Sequence, residues 1–183
     1  TQEAQVASVD LFGAHDLQQI IRWNRQYPEA VDLTVPVVFA EQVSQQPEAL
    51  AVDAWDGRLT YSELDHLSTA LARYLVSVGV VSEALVPLCF DKSRWAVVAQ
   101  MAVMKAGGAC VNLDPAHPQY RHETIVEDAQ ATVLLTNPRH ADVIRTSAVL
   151  QTVVVTEGFI SSLKDLTHEL PIVSPRNIAY VLF

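Results

Sequence analysis

Two adjacent glycines, Gly107 and Gly108, follow Lys105-Ala106 in the stretch VMKAGGACVNLDPAHPQYR, residues 103–121. Glycines near a basic residue can cradle a phosphate, because backbone N–H groups at a helix N-terminus point at the anion. That chemistry requires the glycines to precede a helix. Here an apolar helical pattern runs up to Ala106 and a strand-like run, Ala109 to Leu113, comes after. The glycines therefore fall at the negative end of a helix dipole, where an anion is disfavoured. The pattern predicts a helix C-cap and a tight turn into a strand. No other stretch has the spacing of a Walker A loop or a dinucleotide fingerprint.

The remaining chemistry-bearing residues are scattered. Of the histidines His15, His66, His117, His122, His140 and His168, only His117 and His122 lie close in sequence. Five positions along a helix separate side chains by about 140°, so the two cannot share a metal and read as a surface pair. No glycine-flanked nucleophilic serine is present, which excludes the α/β-hydrolase pattern. Asp53 and Asp56 flank a turn and read as solvated carboxylates. Cys89 and Cys110 each sit inside an apolar run and read as buried, inert thiols. These residues yield no catalytic, cofactor-binding or metal-binding candidate.

The elements that would position any site are legible by period. Asp16 is placed to cap a short helix over Leu17 to Asn24, which Tyr27-Pro28 breaks. Ile20, Ile21 and Trp23 cluster on it, so this segment is expected to lie against something. A helix over Val37 to Ser44 has Pro36 in its first turn. Strands at 49–55 and 58–61 flank the turn Asp56-Gly57. Thr60-Tyr-Ser-Glu63 fits a capping box for a helix bearing Leu64, Leu67, Leu71, Leu75 and Val78 on one stripe, ended by Gly79. Short apolar strands at 86–90, 109–113, 132–136, 153–156 and 177–183 then alternate with helices. Those helices are expected from Ser93 to Ala106 and over 118–129, 138–147 and 159–167. This rhythm predicts an α/β fold: a doubly wound, mostly parallel sheet with helices on both faces.

Bulk composition narrows the function. The 183 residues are 50% apolar and 18% charged, with a formal net charge of -9. An acidic surface repels phosphate backbones, so no nucleic-acid partner is expected. No apolar run reaches membrane-spanning length and no basic-then-apolar leader opens the chain, so no membrane partner is expected and the expected location is cytoplasmic.

The order of motifs is what identifies the chain. LTYSEL, residues 59–64, resembles the first core motif of adenylation domains of non-ribosomal peptide synthetases. MKAGGACVNLDPAHPQYR, residues 104–121, resembles their second motif, at the expected spacing. IIRWNRQYPEAV, residues 20–31, resembles the linker between a condensation and an adenylation domain, and VFAEQVSQQPEALAV, residues 38–52, the segment after it. NIAYVLF, residues 177–183, resembles the strand leading to the third motif. Met104, Cys110 and Asn112 replace the leucine, tyrosine and proline usual in the second motif; all three read as packing positions.

The resemblance implies residues 1–35 as an inter-domain linker and 36–183 as the incomplete N-terminal part of an adenylate-forming fold. It implies ATP and Mg2+ for the complete domain and phosphopantetheine on a carrier domain, with adjacent condensation and carrier domains as partners. The family's phosphate-wrapping loop, substrate pocket, metal-binding glutamate and mobile lobe would all follow Phe183. This stretch is therefore expected to be structural and inactive alone, with self-association of its exposed last strand. Two alternatives stay open: part of an acyl-CoA synthetase-like acid-activating enzyme, or a truncated non-catalytic interaction module.

Overall fold

The chain divides between Asp32 and Leu33 into two units, and the computed structural model describes residues 13–25, 27–142 and 151–183. In the first unit, α1 spans Ala14–Trp23. It begins three residues before the expected start. The Asp16 carboxylate accepts the Gly13 N–H at 3.1 Å, so Asp16 works from within the first turn and Gly13 takes the cap position. No residue of α1 is buried, and Trp23 is 67% exposed.

The second unit opens with α2, Val35–Gln45, which has Pro36 in its first turn. β1, Leu50–Ala54, and β2, Gly57–Thr60, form the expected antiparallel hairpin. α3, Tyr61–Ser77, starts with the expected capping box: Glu63 N–H donates to Thr60 Oγ1 at 3.2 Å and Thr60 N–H to Glu63 Oε2 at 2.8 Å. It ends with Gly79 at φ 96°. The Val80 N–H reaches Leu75 O and the Gly79 N–H reaches Val76 O, which satisfies the last carbonyls.

β3 (Leu85–Cys89), α4 (Arg94–Lys105), β4 (Ala109–Leu113), α5 (Gln119–Asp128), β5 (Val133–Thr136), β6 (Gln151–Val154), α6 (Glu157–Ser161) and β7 (Tyr180–Val181) complete the unit. The five strands β3 to β7 form one parallel sheet in the order β6-β5-β3-β4-β7. Alternation along the strands splits the core into two layers. Val86, Leu88, Cys110, Val133, Leu135 and Val153 pack with α3, α4 and Ile160 of α6. Cys89, Val111, Leu113 and Leu134 point the other way, onto Ile125 and Val126 of α5 and Ala129 at its end. Helices thus cover both faces of a doubly wound sheet, as the period predicts.

Later elements also differ from expectation, and β6 starts two residues early. Residues 138–142 lie in turns rather than a helix. Asn137 explains this, because its Oδ1 and its backbone carbonyl both accept the His140 N–H, at 3.0 and 3.2 Å, and close a turn where a helix would start. The rest of that expected helix falls in 143–150, outside the described residues. α6 is shorter and earlier than expected because Thr156 caps it, its hydroxyl accepting from Phe159 N–H. β7 is far shorter than 177–183. The Asn177 side chain and backbone close a turn with Ser174 and keep the chain out of the ladder until Tyr180.

Candidate functional site

The glycine pair lies where α4 hands over to β4. Gly107 has φ 83°, a left-handed conformation that penalises a Cβ. Its N–H bonds Met104 O at 3.1 Å, and the Gly108 N–H bonds Val103 O at 3.0 Å. Gly108 serves a different need: a Cβ there would meet Ala84 O at 3.0 Å and Val103 Cγ1 at 3.1 Å. One glycine supplies the turn and the other the close approach, and both face the end of a helix.

Lys105, just before them, is 8% exposed. Its ammonium donates to Asp65 Oδ1 (2.8 Å), Asp65 O (3.1 Å), Ser68 Oγ (2.8 Å) and Thr69 Oγ1 (2.9 Å), all on α3. It also lies 5.3 Å from the Phe39 ring centroid. Burial pulls its pKa below the ordinary lysine value, and Asp65 opposes that shift. Lys105 therefore locks α4 to α3. The one sign of this in the sequence is a lysine among the apolar residues that end the helix.

Beyond β4, the turn at Asp114 is held from inside. Asp114 Oδ1 accepts Ala116 N–H at 2.9 Å. Asp114 O accepts both His117 N–H at 3.0 Å and His122 Nε2 at 2.7 Å. The surface-pair reading of the histidines is corrected here. His117 is exposed, but His122 is fully buried beneath the turn, and its Nδ1 has no hydrogen-bond partner in the protein. The 3.6-residue period turns position 122 inward with Ile125 and Val126. The solvated reading of Asp56 is also corrected. Its Oδ1 accepts the Arg94 N–H at 2.9 Å and so caps α4. Asp53 does stay at the surface, paired with Arg58 at 3.0 Å.

The loop after β3 leads to α4 on one face of the sheet and the loop after β4 to α5 on the other. Adjacent strands whose connections diverge open a crevice at their carboxyl ends, where α/β sheets usually hold ligands. This one has a volume of about 640 Å³, between Phe90, Lys92, Ala96, Gln100, Asn112 and Asp114. On its flank, Asp91 binds the loop after β5: His140 Nε2 lies 3.0 Å from Oδ1, Asn137 Nδ2 donates to Oδ2 at 3.2 Å, and Arg139 stands 3.8 Å away. The close approach of His140 is the main reason the Asp91 carboxyl titrates below the ordinary range. Burial, aided by the charges of Asp91 and Asp114, pushes the Cys89 thiol up to about 11; burial alone pushes Cys110 up to about 12. Both cysteines are free, buried thiols, as expected.

The crevice is more acidic than basic. Its rim carries two carboxylates, Asp91 and Asp114, against the one ammonium of Lys92. Two of the first amides of α4, which could bind an anion, are taken: Arg94 N–H by Asp56 and Ala96 N–H by Ser93. Among the described residues, no group of three His, Cys, Asp or Glu could hold a metal ion. No helix among them is long and apolar enough to cross a membrane.

A doubly wound parallel sheet, with a capping-box helix and a glycine-ended helix feeding β4, is the class of fold these residues define. The chain belongs to the AMP-binding enzyme family, whose model matches residues 39–183. Along nearly its whole length it is similar to parts of nonribosomal peptide synthetases, and it spans only a small share of the curated relatives it matches. It is 43% identical over 181 residues to nonribosomal peptide synthetase TES of Alternaria alternata, covering 98% of this chain and 4% of that protein. Against nonribosomal peptide synthetase resC of Aspergillus sclerotiorum it is 42% identical over 189 residues, covering 100% of this chain and 15% of that one. The solved structure of the nonribosomal peptide synthetase FmoA3 superposes with a TM-score of 0.78 at 27% identity, covering 94% of this chain and 18% of that one. The Klebsiella oxytoca NpsA N-terminal subdomain shares the fold, with a TM-score of 0.67 at 21% identity over 81% of this chain and 37% of its own.

Proposed function

We propose that this chain is a structural part of an amino-acid-activating adenylation domain and contributes no catalytic, cofactor-binding or metal-binding side chain. The observation that carries this reading is the placement of Gly107 and Gly108. They close the C-terminal end of α4, where the dipole and the bonded amides offer nothing to a phosphate. The complete domain would use ATP and Mg2+ to join an amino-acid carboxylate to the α-phosphate, releasing pyrophosphate. It would then pass the acyl group to a phosphopantetheine thiol on a carrier domain. Residues 1–35 act as the linker from a condensation domain and 36–183 as the start of the adenylation domain, in the cytoplasm.

The test is amino-acid-dependent exchange of pyrophosphate into ATP by the purified 183-residue chain, beside a polypeptide extended to the complete domain. Exchange by the extended polypeptide alone is the expected result. Robust exchange by the 183-residue chain overturns the reading.

One observation favours a second role, as an association module. β7 is an edge strand with nothing paired to its outer side among the described residues, and Leu182 beside it is 86% exposed.

A further inference from the structure

β7 enters the ladder at only two positions, Cys110 with Tyr180 and Val111 with Val181. So short a strand gains little from backbone pairing and belongs to the low-stability end of a fold. Yet residues 171–183 are met by the stretch 104–121 at their entry, middle and exit. At the entry, Pro171 Cγ lies 3.2 Å from where a Gly107 Cβ would stand. Residues 173–175 and 177–179 bound a small cavity of about 130 Å³ whose other walls include Met104 and Gly108.

Gly107 O accepts the N–H of Glu83, at 2.8 Å, and Glu83 Oε1 in turn accepts the Ile178 N–H, at 3.2 Å. Glu83 holds φ 64° to make this relay, an uncommon conformation for a residue with a Cβ. In the middle, Cys110 N–H donates to Ala179 O at 2.9 Å, and Asn112 Nδ2 lies 3.5 Å from Tyr180 Oη. At the exit, Arg121 Nη2 donates to Phe183 O at 3.4 Å.

We propose that residues 104–121, together with Glu83, form a clamp on residues 171–183, in which Glu83, Asn112 and Arg121 are positioning residues that set the register of β7 and the direction in which the chain leaves it. In this view the second motif resembles a phosphate loop only in composition. Gly107 allows the incoming segment to pass close to the end of α4, and Asn112 and Arg121 hold the outgoing one. The functional consequence rests on the adenylation-domain reading, which places the phosphate-wrapping loop directly after β7. The clamp would then aim that loop without touching nucleotide.

Hydrogen exchange of the backbone amides in the 183-residue chain tests the clamp. Arg121→Ala and Glu83→Ala should raise exchange at residues 178–183 at least about threefold, while β3 and α4 keep their protection and the melting temperature barely moves. Glu83→Gln retains an acceptor oxygen and should restore protection; Arg121→Lys should fall between alanine and wild type. Unchanged exchange at 178–183 overturns the clamp, as does an equal loss of protection throughout 33–183 in both alanine variants. The proposed function fails separately, on pyrophosphate exchange by the unextended chain.

Discussion

The Lys105 ammonium stands 2.8 Å from Asp65 Oδ1, inside the packed seam between α4 and α3. Its partners differ in how well they survive its loss. Asp65 is partly exposed and can hydrate, and Ser68 Oγ keeps its 2.6 Å bond to Leu64 O. Lys105→Met should therefore cost only about 1 kcal/mol, since an apolar chain of similar length refills the space. Lys105→Ala removes that packing as well and should cost about 2–4 kcal/mol. Urea unfolding of the two variants checks the ranking; equal losses would show that charge rather than packing makes this lock.

The two glycines should fail in different ways. Gly107→Ala places a Cβ in the left-handed region, at a cost of about 1–2 kcal/mol. Gly108→Val drives a branched side chain into Ala84 O and Val103, and should cost more, about 1–3 kcal/mol even for modest overpacking. In a polypeptide extended to the complete domain, thermal stability should fall while ATP affinity of the folded fraction holds. Normal stability with lost ATP binding would restore the phosphate-cradle reading.

These glycines also show how far the sequence could be read. The capping box at Thr60 and Glu63, the Gly79 and Gly107 helix ends, and the alternation of short strands with helices are local signals, and each is found where its period places it. What stayed hidden depends on long-range contact. Lys105 meets Asp65 across 40 positions and Asp56 caps α4 across 38, and no spacing rule reaches so far. Asn137 and Asn177 close turns where a helix and a strand were expected to start, because a side-chain oxygen competes with the regular backbone pattern. His122 was missed for a simpler reason: its helix carries few apolar residues, which left its inward face poorly marked.

Alkaline pH should destabilise the fold through the cysteines. Cys89 and Cys110 titrate at about 11 and about 12 in the folded chain, against an ordinary 9.0. Both folded values are raised, so the folded state holds more protons than the unfolded one above pH 9. The contribution of the two thiols is thus intact below pH 9 and lost as pH climbs towards 11–12. Denaturation midpoints measured from pH 8 to 11 should fall, and less steeply in a Cys89→Ala, Cys110→Ala double variant after allowing for its lower starting stability. At pH 8 neither thiol should react with a disulfide reagent until the protein unfolds.

Gln130 offers a gain in stability. α5 ends as α3 and α4 do, with Gln130 N–H on Glu127 O and Ala131 N–H on Val126 O. The residue at the left-handed position, however, is a glutamine at φ 50°. It is exposed and has no other observed role. Gln130→Gly relieves the Cβ penalty and should stabilise by about 1 kcal/mol, partly offset by the extra freedom of glycine in the unfolded chain. A melting temperature below wild type would mean that the glutamine side chain makes contributions the geometry does not reveal.

The outer edge of β7 should make the 183-residue chain self-associate. Its backbone groups face away from β4, and apolar side chains stand beside them, Leu182 at 86% exposure and Phe183 at 51%. Unpaired strand edges template further pairing, and edges of two copies can meet about a two-fold axis so that the contact closes on itself. The net charge of -9 opposes association, and screening it with salt should strengthen the dimer. Sedimentation equilibrium over a wide concentration range should give a monomer–dimer equilibrium. Leu182→Lys should shift it to monomer, because a charged residue beside the edge must be desolvated for the strands to pair. A clean monomer at high concentration and high salt would show that this short edge is too small to recruit a partner, and the association-module role would go with it.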